Sequence, residues 1–127
     1  MSEQPFAVAP VMGLLATLGA AGFALQNATP SILSWTAPND GQPHRVMVVG
    51  NENVSSATTG GQVNMTFFRA DGSGSNSVPI FGGTVGAGYH AIGDNFAVVA
   101  PGQTVSIAQN TAMTGGAATI WLELWGS

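Results

Sequence analysis

The chain has 127 residues, two basic side chains, six carboxylates and a net charge of −4, so it holds one ordinary domain and lacks the cationic surface that neutralises nucleic-acid phosphates. Only 6% of the residues are charged, against about 25% in typical soluble domains, which leaves little to keep copies apart in solution and points to an assembly protein covered by its neighbours. Cys is absent, which excludes disulfides and thiolate metal sites and leaves the redox compartment open.

Phe6 to Leu25, FAVAPVMGLLATLGAAGFAL, carries no charge and on length alone could cross a bilayer. Its flank, Met-Ser-Glu-Gln, has no basic residue, Pro5, Pro10, Gly13, Gly19 and Gly22 interrupt it, and much of its apolarity is Ala. These features argue against both a membrane span and a signal peptide. The expectation is an apolar N-terminal arm, residues 1–22, with a short helix or turn over Met12 to Leu18 that needs a partner, because two helical turns alone are marginal in water. From Gly22 the sequence alternates, Phe23, Leu25 and Asn27 against Ala24, Gln26 and Ala28, and reads as a first strand ending at Thr29-Pro30.

Ser31 to Asn51 then spells strand, turn and strand: Ile32 to Trp35 is β-branched and aromatic, Pro38-Asn39-Asp40-Gly41 is turn chemistry, and Val46 to Val49 is an apolar run. Asn51 to Gly61, NENVSSATTGG, is a polar stretch with one inward-facing residue, Val54. Gln62 to Ala70 alternates as a strand, and Asp71 to Ser77, DGSGSNS, reads as an exposed flexible loop. Val78 to Phe81 is a short strand in which Pro79 demands an edge position, because proline has no N–H for a ladder. Gly82 to Gly88 is a bend, and His90 to Ile92 with Asn95 to Val99 forms a further strand or pair separated at Gly93-Asp94. Ala100-Pro101-Gly102-Gln103 has the Pro-Gly order of a type II turn and leads into the strand Thr104 to Ala108. The last strand, Ala117 to Trp125, puts Ala118, Ile120, Leu122 and Leu124 on one face and Thr119, Trp121, Glu123 and Trp125 on the other, a second face that needs cover. About eight short antiparallel strands with turn signals every eight to twelve residues describe an all-β protein, a single β-sandwich or jelly roll over residues 23–127 behind the arm.

Catalytic chemistry finds little support. His44, His90, Asp40, Asp94 and many Ser could be drawn as a triad, but no G-x-S-x-G phrase places a nucleophile. The carboxylates Glu3, Asp40, Glu52, Asp71, Asp94 and Glu123 sit mostly in turns, where Asp is expected for backbone reasons. The Asp71 loop lacks alternating calcium ligands and has Gly82 where a calcium loop needs its bidentate Glu, and Gly82, Gly83, Gly86 and Gly88 do not spell a phosphate-binding loop. The expectation is therefore a non-enzyme with no catalytic residue, cofactor or metal. Asn27, Asn53 and Asn64 head N-x-S/T triplets of the kind an Asn- and Thr-rich strand protein yields by chance. Trp35, Trp121 and Trp125 are the residues that could stack on sugars, although core or interface burial is the commoner fate of a strand Trp.

The phrases SWTAPNDGQPHRVMVVG, SSATTGGQVNMTF, VAPGQTVSI and TAMTGGAATIWLELWG, with their T-x-x-G-G-type turns at Ala57 to Gly61 and Thr114 to Gly116, resemble the small jelly-roll virion proteins of tailed bacteriophages, most of all the capsid decoration (cement) proteins. The resemblance runs from about Thr29 to the C-terminus. It implies a homo-oligomer, a trimer by preference, that sits on the outer surface of the phage head, contacts the major capsid protein and stabilises the coat lattice. In that setting the partner or oligomer interface is expected at Phe6, Val11, Met12, Leu14, Leu15 and Leu18 of the arm and at Trp121 and Trp125 of the last strand. The alternative is a receptor- or glycan-binding tail or fibre tip that works through the loops Pro38 to Pro43 and Asp71 to Ser77.

Overall fold

Strict apolar–polar alternation leaves the backbone one economical solution, a strand with one wet and one dry face, and the chain adopts it almost throughout. The computed structural model describes residues 12–68 and 74–127, and every regular element among them is a β-strand. They are β1 (Gly13–Thr17), β2 (Phe23–Ala24), β3 (Ser31–Thr36), β4 (His44–Gly60), β5 (Val63–Phe68), β6 (Ser75–Phe81), β7 (Gly88–Val99), β8 (Thr104–Gln109) and β9 (Met113–Gly126). Two antiparallel sheets pack face to face as a β-sandwich: β1-β9-β4-β7, with β2 also on β9, and β3-β8-β5-β6. Val46, Val48 and Val54 of β4 and Ile120, Leu122 and Leu124 of β9 meet Val63 and Met65 of β5 and Val105 and Ile107 of β8 in the core, each no more than 2% exposed. Each such side chain contributes about 1.5–3 kcal/mol through burial.

The pairing is nested. β5 joins β6, β4 joins β7, β3 joins β8 and β2 joins β9, so the described chain is one long hairpin rolled up on itself, with β4–β9 and β5–β8 closing the roll. Ala100 to Gln103 turns as the sequence demands: the Gln103 amide donates to the Ala100 carbonyl at 3.2 Å and Gly102 takes φ 74°. Pro79 lies on β6, the edge of its sheet.

Five local expectations are corrected. Met12 to Leu18 forms neither a helix nor a turn: Gly13–Thr17 pairs with β9, which supplies backbone partners without the cost of nucleating a helix. The strand expected from Gly22 to Ala28 shrinks to Phe23–Ala24, because Gln26 leaves the sheet to bond buried Gln109, whose Oε1 accepts the Gln26 amide at 3.0 Å. The polar stretch after Gly50 is part of β4 as far as Gly60, with Glu52, Val54 and Thr58 buried. Ser75–Ser77, expected in a loop, begins β6, where Ser77 Oγ accepts from Asn64 Nδ2 at 3.1 Å; residues 69–73 lie outside the described segments. Gly93-Asp94 does not split β7. Val48 pairs with Asn95 and Gly50 with Ile92, so two residues of β7 oppose Val49 alone and form a bulge.

Candidate interaction surface

Since β4 and β9 bury their even-numbered residues along the sandwich, their odd-numbered residues point away from it, and directly paired residues share a side. Across the outer face of the first sheet the register sets Leu14 against Trp125, Trp125 against Met47, and Met47 against Phe96, an apolar row spanning four strands. Val98 and Val49 flank it on one side and the other along the strands, and Trp121 and Tyr89 lie further toward the β2 end. The exposed large hydrophobic side chains of the described residues, Leu14, Tyr89, Phe96 and Val98, all belong to this face, from 45% exposed at Val98 to 77% at Tyr89. The second sheet's outer face is the opposite: the row in corresponding position there is Ser34, Ser106, Thr66 and Ser77.

The two indoles are held differently. Trp121 Nε1 donates to the Ala20 carbonyl at 2.8 Å, which fixes the ring beneath the turn between β1 and β2. Gly22 makes that approach feasible: its φ is 69°, and a Cβ there would stand 2.6 Å from the Ile120 carbonyl and 2.8 Å from Trp121 Nε1. Trp125 Nε1 donates to Glu123 Oε1 at 3.4 Å. Glu123 pairs with Val49 on one side of the apolar row and Arg45 pairs with Val98 on the other, so among the described side chains the face carries one charge of each sign.

Of the interface residues expected from sequence, Leu14, Trp121 and Trp125 come together here. Leu15 and Leu18 pack against the core instead, Met12 is half-buried just before β1, and Phe6 and Val11 lie outside the described residues. Met47, Phe96, Val98 and Tyr89 were missed. The signal for the first three was present: Val46 to Val49 and Phe96 to Val99 are apolar on both faces, which in a strand means cover on both sides.

No protein-family model, curated protein or solved structure matches the chain. No helix of the described residues is long and apolar enough to cross a membrane, and no three His, Asp or Glu side chains among them gather as metal ligands.

The histidines occupy separate settings. His44 Nε2 meets Asp40 Oδ1 at 3.0 Å, its Nδ1 meets the Ser127 carbonyl at 2.8 Å, and its ring stands edge-on to Trp35 with centroids 6.0 Å apart. Both ring nitrogens donate when the imidazole is protonated, so the Asp40 hydrogen bond first and the Ser127 carbonyl second raise the His44 pKa above 6.5, while the bond to His44 holds Asp40 below 3.8. The contribution of this clamp is complete between those two ordinary values. It fades as pH rises through the raised His44 pKa and again as pH falls through the lowered Asp40 pKa. In an NMR titration the His44 midpoint is expected above that of a free histidine, and Asp40→Asn is expected to bring it down; an unchanged midpoint would disprove the coupling. His90 Nε2 meets the Gly86 carbonyl at 2.9 Å and pairs across the strands with Glu52, a buried carboxyl whose Oε2 has no hydrogen-bond partner.

Proposed function

We propose that this protein is a structural virion component, a capsid decoration protein of a tailed bacteriophage that binds the outer surface of the head and stabilises the coat lattice as a homo-oligomer. The observation that carries this reading is the apolar outer face of the first sheet, on a chain that has few charges with which to keep partners away. A row of four hydrophobic side chains facing water is costly unless another surface covers it, and lattice assembly repeats that gain at every site. The strand order lends support: the paths β1-β9-β4-β7 and β3-β8-β5-β6, generated from one rolled hairpin, are compatible with a jelly roll, the architecture the resemblance implies.

Co-sedimentation with empty tailed-phage shells is the direct test. The wild-type protein is expected in the shell pellet, and Trp125→Ala or Phe96→Ser is expected to leave it in the supernatant while its melting profile stays cooperative. Wild-type protein that remains soluble beside the shells would remove the decoration reading.

The alternative, a glycan- or receptor-binding tip, draws on the same face, since Trp121, Trp125 and Tyr89 share it with Asn51 and Asn53. Loss of binding to a glycan array on Trp125→Ala would favour that reading.

A further inference from the structure

We propose that the outer face of the first sheet docks on the same face of a second copy, about a two-fold axis lying in the interface along the Leu14–Trp125–Met47–Phe96 row, with Arg45 of each copy beside Glu123 of the other. The proposal names the partner for the assembly face and rests on the assembly reading above. Its basis is the placement of charge. Met47 pairs with Trp125 and Val49 pairs with Glu123, and β4 and β9 run antiparallel. Arg45 therefore lies two residues to one side of the row on β4, and Glu123 lies two residues to the other side on β9.

Turning a copy over about the row exchanges those two sides, so Arg45 of each copy comes over Val49 of the other, with Glu123 one strand to the side, about 4.8 Å away. The row itself is laid on its own image, apolar against apolar, as an isologous interface requires. Had the cation and the anion lain on the same side of the row, the same turn would have left both opposite the uncharged side of the partner. Within one copy the two charges do not meet. Four steps along β4 lead from Arg45 to Val49, the partner of Glu123, about 13 Å at the rise of a strand. The only ion pair among the described residues is His44–Asp40.

Size agrees with the same occupant. From the Val98 end to the Tyr89 end the face covers four strands and nine residues of β4, roughly 20 by 26 Å, on the order of 500 Å² in projection. The apolar row with Val49 and Val98 occupies one end of that face, with Arg45, Glu123, Asn51 and Asn53 also on it, and exposed apolar patches of a few hundred Å² mark interaction sites. The second sheet offers no comparable surface, since its outer row is Ser and Thr. Sheets that pack face to face keep their strands within about 30° at a separation of about 10 Å, near enough for an Arg and a Glu to meet across the gap.

The test is a charge exchange read by sedimentation velocity on the full chain. Wild type is expected to dimerise. Arg45→Glu alone and Glu123→Arg alone each set like charges face to face twice and are expected to raise the dimer dissociation constant roughly ten-fold or more. An equimolar mixture of the two variants is expected to restore association as a heterodimer, because each chain then meets the opposite charges on its partner. Thermal melts establish that both variants are folded, and Phe96→Ser, which removes apolar contact, is expected to weaken the dimer without rescue by mixing.

A monomeric wild type, single variants that dimerise as wild type does, or folded variants whose mixture does not associate would each overturn the proposal. So would a wild-type monomer retained on insoluble chitin or cellulose through this face, which would make it a carbohydrate platform. A monomer that still pellets with phage shells would overturn the self-docking and spare the decoration reading. A charge-rescued dimer that ignores shells would do the reverse.

Discussion

Gly50→Ala is expected to lower stability by about 3 kcal/mol or more and the melting temperature by roughly 10 °C, enough to leave a marginal domain partly unfolded at growth temperature. Gly50 sits in the middle of β4, between its partner Leu122 on β9 and the β7 bulge. A Cβ there would collide with the Trp121 carbonyl oxygen and come within 3.1 Å of the Leu122 Cα, both backbone atoms of the neighbouring strand. A side-chain tip could swing aside, but a ladder carbonyl in the central strand pair moves only if the pair parts. Gly13→Ala is the control. An added Cβ there meets nothing within 4 Å, so the change is expected to fall within about 0.5 kcal/mol of wild type in a urea melt. Equal midpoints for the two variants would mean that β4 and β9 can separate at no cost.

Glu52→Met is expected to raise stability by about 1–3 kcal/mol at pH 8. Glu52 is 1% exposed between Ile120 and His90 in the inward row, and its Oε2 has no hydrogen-bond partner. Burial raises its pKa above 4.5, with a smaller opposing pull from His90. A carboxyl whose folded pKa lies above its unfolded value binds more protons when folded, so stability is full below the ordinary Glu value, falls as pH climbs through the raised pKa, and is level beyond it. Wild type is therefore expected to melt lower at pH 8 than at pH 4.5 by more than Glu52→Gln does, and coincident profiles would show that Glu52 is solvated or paired in solution. Methionine preserves the length of the side chain and adds no branch, so the comparison reports the charge rather than a cavity.

Periodicity of two made the sandwich legible, because a half-buried strand leaves its alternation in the residue order, as in Val63-Asn64-Met65-Thr66-Phe67 and in Ala118 to Trp125. Asn51 to Gly60 hid its strand. Asn and Ser there face outward while Glu52, an apparent surface residue, points into the core, so alternation survived in geometry but not in polarity. Gly13 to Thr17 hid for a different reason: its conformation is decided by a partner strand more than 100 residues away, Glu123 to Gly126, and no local pattern carries that information. The interaction surface was half visible. Trp121 and Trp125 announced themselves by alternation, whereas Met47 and Phe96 join them only through a register that strand pairing sets.

Nested pairing also dictates when the protein can become itself. The innermost pair, β5 with β6, closes over a short connection, but each pair outward waits for a longer stretch of chain, until Phe23 meets Ile120. During synthesis β4 exists for the time it takes to add over fifty residues before β9 arrives beside it, and through that interval Val46, Val48 and Met47 have no second neighbour. Loop closure of that span places folding among the slow, millisecond-to-second topologies. A nascent chain still on the ribosome therefore shows the unpaired edge of β4 to neighbouring copies until residues 113–126 emerge, and that interval is where mispairing is expected.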